Sequence, residues 1–173
     1  YRALYCVVHE AFITEKELVH GVCPDHKTKP EQVEEENYFF KLSKYARDIQ
    51  FNIERGTLNI IPETRKNEVL SFIKQGLQDI SVSRSKEKLQ WGIPVPNDPN
   101  HIMYVWFDAL SNYLVPANHW PADVHVIGKD ILRFHAVIWP AMLLSADLAL
   151  PKNILVHGFI SVEGQKMSKS LGN

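Results

Sequence analysis

Hydrophobic spacing changes character near residue 100. In "NYFFKLSKYARDIQFNI", Phe39, Leu42, Tyr45, Ala46 and Ile49 recur at helical intervals, which predicts a helix with one buried face. Val69, Leu70, Ile73 and Leu77 form the stripe of a second helix in "TRKNEVLSFIKQG", with Gly76 placed to stop it. In "DISVSR", Ile80 and Val82 alternate with Ser81 and Ser83, the pattern of a half-buried strand. Residues 1–36 keep no period, and their Cys, His, Gly and Pro punctuation predicts loops and short strands.

Beyond residue 100 the pattern is more regular. "HIMYVWF" is apolar on both faces, as an interior parallel strand would be. Asp108 is placed to cap a helix through Leu114. "DVHVIG" predicts a strand, Asp130 caps a helix running toward Ala149 and bent or restarted at Pro140, and "NILVHGFI" predicts a third strand. Strands alternating with helices predict half of a doubly wound parallel sheet over 101–173, preceded by an α+β domain over 1–100. Ligands of such sheets bind at the carboxyl ends of strands. That rule points to residues 106–113, residues 128–135 and the tail after Phe159.

Composition narrows the class. The chain has 173 residues, 45% apolar and 23% charged, an ordinary balance for a globular protein with a real core. No apolar run approaches the ~20 residues that span a bilayer, so no membrane partner is expected. A net charge of −1 excludes a grip on nucleic acid through overall charge. Two cysteines argue against a disulfide framework and fit a reducing compartment. The chain opens on Tyr1 without a signal-peptide pattern, so the expectation is a segment of a longer protein.

Two motifs carry candidate chemistry. In "GQKMSKSLGN", Lys166 and Lys169 place two point charges within reach of one anion, between the flexible Gly164 and Gly172. Such a pair suits a polyphosphate whose charge grows as a bond breaks, and a mobile loop can close over it. The bland alternative is a solvated Ser/Lys loop. Cys6-x2-His9 and Cys23-x2-His26, thirteen residues apart, can complete a tetrahedral zinc site; the alternative is a metal-free loop with two ordinary cysteines.

"KMSKS" at residues 166–170 resembles the second signature of class I aminoacyl-tRNA synthetases. "YVWFDALSNYL", "HVIGKDILRFHAVIWPAM", "ISVSR" with "WGIPVP", "EEENYFFKLSKY" and "NEVLSFIKQGL" resemble the methionyl branch of that class, in its bacterial or organellar form, over essentially the whole chain. The resemblance implies a Rossmann-like catalytic half ending in the lysine loop and, before it, a connective domain with a zinc knuckle in some members. It implies that the first signature precedes residue 1, that an anticodon-binding domain follows residue 173, and that this stretch alone is inactive. The implied reaction activates methionine with Mg2+-ATP and passes it to tRNA(Met), in the cytoplasm of a bacterium or in a eukaryotic organelle such as the mitochondrion. Lys166 and Lys169 would steady the triphosphate, with Met167, Ser168, Ser170 and Gly128 also at the ATP. Asp130 would face the methionine ammonium. Trp106, Ala109, Tyr113, Phe134, Ile138 and Trp139 would line its side-chain pocket, with Tyr113 and His135 near the thioether and Arg84 close to the site. Lys129 reads as solvated. Between Tyr113 and Trp120 the chain is shorter than the family's usual excursion.

Elemental analysis of the purified gene product separates the two readings of the cysteines. About one zinc per chain selects the knuckle, and much less than one selects the metal-free loop.

Overall fold

The computed structural model describes residues 2–6, 11–13, 18–24, 27–34, 36–87, 89–115 and 119–167. Strands and helices are numbered in chain order. The chain forms two units, Tyr1–Tyr38 with Ser81–Tyr104, and Phe39–Ile80 with Val105–Asn173.

The first unit is built from antiparallel strands. Strand β1 (Arg2–Cys6) lies between β2 (Ala11–Ile13) and β3 (Glu31–Glu34). A second three-stranded sheet has β9 (Asp98–Met103) between β7 (Ser83–Ser85) and β8 (Pro94–Val95), with Arg84 opposite Ile102. Gly92 precedes β8 at φ +153, and a Cβ there would lie 2.8 Å from Ile102 Cδ1. Ile102 is buried at that contact. A polar knot fastens the same unit. His101 Nδ1–H donates to Asp98 Oδ2 at 2.8 Å, and its Nε2–H donates to the Glu36 carbonyl at 3.0 Å. Both acceptors are oxygens, so the pair of contacts favours the doubly protonated ring, and the Glu36 carbonyl and then Asp98 raise the His101 pKa.

The second unit is organised by a parallel sheet. Its strand order is β10 (Val124–Gly128), β11 (Asn153–His157), β5 (Asn59–Ile61). Ile154 pairs with both His125 and Ile60, so all three strands are in register at the buried level. Against this face pack helix α1 (Ala46–Arg55) through Ile49 and Ile53, and α2 (Glu63–Lys74) through Val69 and Ile73. Gly56 ends α1 in the left-handed conformation, with its N–H on the Ile53 carbonyl, as a helix C-terminal glycine does. Short strands β4 (Phe39–Phe40) and β6 (Ile80–Ser81) bracket this helical stretch, and α3 (Val105–Ser111) follows the antiparallel unit.

The helix after β10 is composite. A tight turn over Lys129–Ile131 leads through Leu132 and Arg133 into a widened π turn, Phe134–Ile138, and then α4 (Trp139–Ser145). Pro140 explains the widening. Its nitrogen cannot donate to the carbonyl four residues back, and its ring needs room there. The expected bend at Pro140 is therefore present as a change of helical pitch.

Four sequence expectations change. "HIMYVWF" is not one parallel strand: its start lies in antiparallel β9 and its end in α3. An apolar run this short has no period that separates strand from helix. The third parallel strand is instead β5, from the stretch assigned to the other domain. Asp108 lies inside α3 and Asp130 inside the turn after β10, where Gly128 takes the cap position without any side-chain cap. Contacts also do not divide the chain at residue 100, because residues 39–80 supply β5, α1 and α2 to the second unit.

Gly92→Ala forces a methyl into Ile102 at a backbone angle L-residues avoid, and should cost about 1–3 kcal/mol in urea unfolding of the gene product. Gly158→Ala, with nothing within 4 Å of the added carbon, should stay within about 0.5 kcal/mol.

Candidate functional site

The carboxyl end of β10 is where the second unit gathers its chemistry. The strand ends at Gly128, and a Cβ there would lie only 2.6 Å from Asp130 Oδ1. The exposed Asp130 carboxylate folds back over the strand end. Lys129 is exposed, and its ammonium lies over the Phe159 ring at 4.3 Å, a cation–π contact beyond the simple solvation expected of it. At the end of neighbouring β11, His157 Nδ1–H donates to the Gly158 carbonyl at 2.6 Å.

Behind this edge lies an aromatic cluster. Trp106 from α3 stacks on Phe134 at 4.6 Å and 24°. Tyr113, on the short turn Asn112–Leu114 after α3, donates its hydroxyl to His135 Nε2 at 2.8 Å. His135 Nδ1–H donates to the Ile131 carbonyl at 3.0 Å, which fixes the tautomer: Nδ1 protonated, Nε2 accepting. Burial of the ring lowers the His135 pKa against that carbonyl's opposing pull, and burial raises the Tyr113 phenol. Trp139 is fully buried within 6.0 Å of Tyr113, and Trp120 meets Trp139 edge-on at 5.5 Å. Phe134 and Ile138 pack on the small core formed by Leu110, Trp139 and Leu143. The expected residues Trp106, Tyr113, Phe134, His135, Ile138 and Trp139 thus meet in one place. Ala109 is exposed on α3, one position before buried Leu110.

Two members escaped the sequence reading. His125 is buried on β10, its ring 4.4 Å from Tyr113, and Trp120 lies 6.0 Å from His125. The alternation of "DVHVIG" held the signal, since it puts a polar residue on the same inward face as Ile127. Burial and then the neighbouring His135 push the His125 pKa down to about 4. His125 Nε2 and Trp139 Nε1 find no hydrogen-bond partner among the described residues.

The other expected residues belong to other elements. Arg84 belongs to the first unit, where its guanidinium covers the Tyr104 ring at 4.5 Å and donates to the Ser83 carbonyl at 2.7 Å. Strands β12 (Ser161–Val162) and β13 (Gln165–Lys166) form a hairpin that carries the Lys166 backbone, and Met167 N–H donates to the Ile160 carbonyl at 2.8 Å. Ser168, Lys169 and Ser170 lie outside the described residues, as do His9 and His26. Cys6 and Cys23 are both buried. Thr28 ties them together, with its Oγ1 3.7 Å from Cys6 Sγ and its carbonyl accepting from Cys23 N–H at 2.9 Å. The described residues alone contain no group of three or more ligands that could hold a metal. No helix among them is long and apolar enough to cross a membrane.

A family model described as "tRNA synthetases class I (M)" matches residues 2–173. A methionine–tRNA ligase from Caldanaerobacter subterraneus is 49% identical over 184 residues, covering all of this chain and 28% of that protein. One from Rhizobium meliloti is 50% identical over 188 residues, covering all of this chain and 36% of the relative. A crystal structure of Mycobacterium tuberculosis methionyl-tRNA synthetase bound by methionyl-adenylate superposes with a TM-score of 0.84 at 46% identity, over all of this chain and 36% of that one. The chain therefore spans about a third of the length of the proteins it matches. Against the first relative, 184 aligned positions face 173 residues here, so this chain is the shorter one within the matched region.

The depressed His125 pKa has a stability consequence with a definite sign. The folded ring, with its pKa near 4, binds fewer protons than the unfolded one at 6.5. Its contribution is complete above about pH 6.5 and is lost as pH falls toward 4, by on the order of 3 kcal/mol at most. In urea titrations between pH 7 and 4, His125→Phe should show a shallower acid loss than wild type.

Proposed function

The chain belongs to the class I tRNA synthetases of the methionine type, and we propose that it supplies the methionine-recognising wall of an enzyme that charges tRNA(Met). The observation that carries this reading is the convergence at the end of β10. An exposed carboxylate, Asp130, lies over Gly128, one helical stretch from an aromatic cluster with a hydrogen-bonded Tyr113–His135 pair. That is what an amino acid with a cationic head and a soft apolar tail requires.

In the proposed reaction the methionine carboxylate attacks the α-phosphorus of ATP. The bond to the bridging oxygen breaks, pyrophosphate leaves, and methionyl-adenylate remains. A terminal ribose hydroxyl of the tRNA then attacks the acyl carbon and releases AMP. No side chain of this chain acts as a covalent nucleophile. Catalysis is orientation and charge stabilisation. Asp130 holds the ammonium group. Trp106 and Phe134, with Ala109, Ile138 and Trp139, enclose the side chain, and sulfur packs well against such rings. Tyr113 and His135 stand near the thioether. The Tyr113 hydroxyl and the His135 imidazole penalise apolar isosteres, which an aliphatic wall alone rejects weakly. Lys166 and Lys169, with Met167, Ser168 and Ser170, steady the phosphates, and Gly128 lets the nucleotide approach the backbone. A ligand-binding role for Arg84 rests on the family resemblance alone.

ATP enters as its magnesium complex, since Mg2+ is commonly held through substrate phosphates. Zinc, held by Cys6 and Cys23 with His9 and His26, would be structural, because protein fills all four positions. Identities near 50% to bacterial relatives support a bacterial-type enzyme acting where translation occurs.

Methionine-dependent ATP–pyrophosphate exchange by the intact gene product tests the reading; no exchange with methionine would sink it, and exchange with another amino acid would reassign it. Asp130→Ala should raise the methionine KM about 10–100-fold, as loss of a charged hydrogen bond does, with ATP KM nearly unchanged. Lys169→Ala should slow adenylate formation at least tenfold with methionine affinity nearly intact. Unchanged turnover would remove Lys169 from the phosphate site.

A further inference from the structure

His125 is the one polar side chain of the aromatic cluster that the proposed function leaves unused. It is 6% exposed, and no described residue partners its Nε2. A buried nitrogen without a partner costs about 1–3 kcal/mol, and a phenyl ring of similar shape would avoid that cost. The position is inward-facing on β10, between Val124 and Val126, where apolar residues pack by default. Retaining imidazole there needs a reason beyond packing.

The neighbours of His125 supply one. Among the rings around Tyr113, His125 is the nearest, at 4.4 Å against 5.6 Å for His135 and 6.0 Å for Trp139. Tyr113 sits on a three-residue turn, so little backbone structure fixes its ring. Its hydroxyl is held by His135, and its ring packs at a 54° tilt against His125. His125 and His135 themselves lie 5.9 Å apart, and burial opposes charging either ring.

We propose that His125 is a specificity-determining positioning residue, which seats the Tyr113 ring and keeps the inner wall of the methionine pocket polar. It touches Tyr113, and acts on substrate choice through it. The inference rests on the proposed function, because it assigns the Tyr113–His135 pair to the thioether. The polar groups of that wall are already paired, Tyr113 with His135 and His135 with the Ile131 carbonyl, so discrimination against an all-carbon tail of the same length comes from holding those rings where a polarizable sulfur packs best.

The test uses the intact gene product with methionine and norleucine in pyrophosphate exchange, alongside thermal melting. His125→Phe should melt at the wild-type temperature or above it, because the unpartnered nitrogen is gone. It should still lose about tenfold in selectivity for methionine over norleucine, through KM, with kcat and ATP KM within about twofold. His125→Gln, which restores a polar group near Nε2, should recover most of that selectivity. A purely structural role predicts the opposite pattern, with stability and activity changing together. Selectivity within about twofold of wild type in His125→Phe overturns the proposal. If that variant does not fold, equal selectivity in His125→Gln and His125→Leu overturns it. Wild-type protein that binds methionine in calorimetry without exchanging pyrophosphate would refute the proposed function alone, and the binding ratio of methionine to norleucine in the same variants then decides this inference. Wild-type protein that binds no methionine refutes both.

Discussion

One buried face of a three-stranded parallel sheet sets the terms for everything the second unit does. Ile60, Ile154, Ile127 and Val156 project onto α1, α2 and the helix after β10. Removing that apolar area from water holds the strands in one register. Because side chains alternate, the same register carries His125 inward and leaves Val124 and Val126 outward. It also brings β10 to an end at Gly128, so the next turn starts at the edge of the sheet. Asp130 is thereby delivered to the strand end and His135 to the interior. The site is a consequence of where the sheet stops.

The cluster is also a problem in electrostatics solved by burial. Two imidazoles 5.9 Å apart in an aromatic enclosure cannot both be charged without large cost. Desolvation is the first cause of the lowered pKa of each. His135 then uses its one proton on the Ile131 carbonyl and its lone pair on Tyr113. His101 in the first unit shows the opposite solution: with oxygen acceptors on both nitrogens, it is drawn toward the charged form. Burial thus disfavours the charged form of the side chain in one unit, and two oxygen acceptors favour it in the other. Only its neighbours differ.

The composite helix shows how a local defect becomes useful. Pro140 cannot sustain the α ladder, and the chain answers with a π turn over Phe134–Ile138. That turn shifts the side-chain directions at its ends. Phe134 stacks on Trp106 while His135 turns to Tyr113 and Trp139 stays fully buried. A regular helix of the same sequence would distribute these residues around a uniform 3.6-residue period. Widened turns of this kind are often found at functional sites.

Much was legible from sequence, and the boundary has a physical cause. Strict periodicity located α2, β10 and β11, because a long stripe or a clean alternation fits only one backbone repeat. The stripe that predicted the first helix began too early: Phe39 lies in β4 and Leu42–Tyr45 form a 3-10 turn, so α1 keeps only Ala46 and Ile49 of it. The short motifs singled out Gly128 and Asp130, which the structure places at the end of β10 and in the turn that follows it. Three matters were decided by tertiary structure alone. Residues 102–107 split between a strand and a helix, since a run of six apolar residues satisfies both until neighbours choose. Strand β5 joined a sheet whose other strands lie more than sixty residues away in sequence, a pairing no local pattern encodes. And His125 became part of the cluster. Its burial, its neutrality and its contact with Tyr113 are properties of packing, and packing is written in no single stretch of the chain.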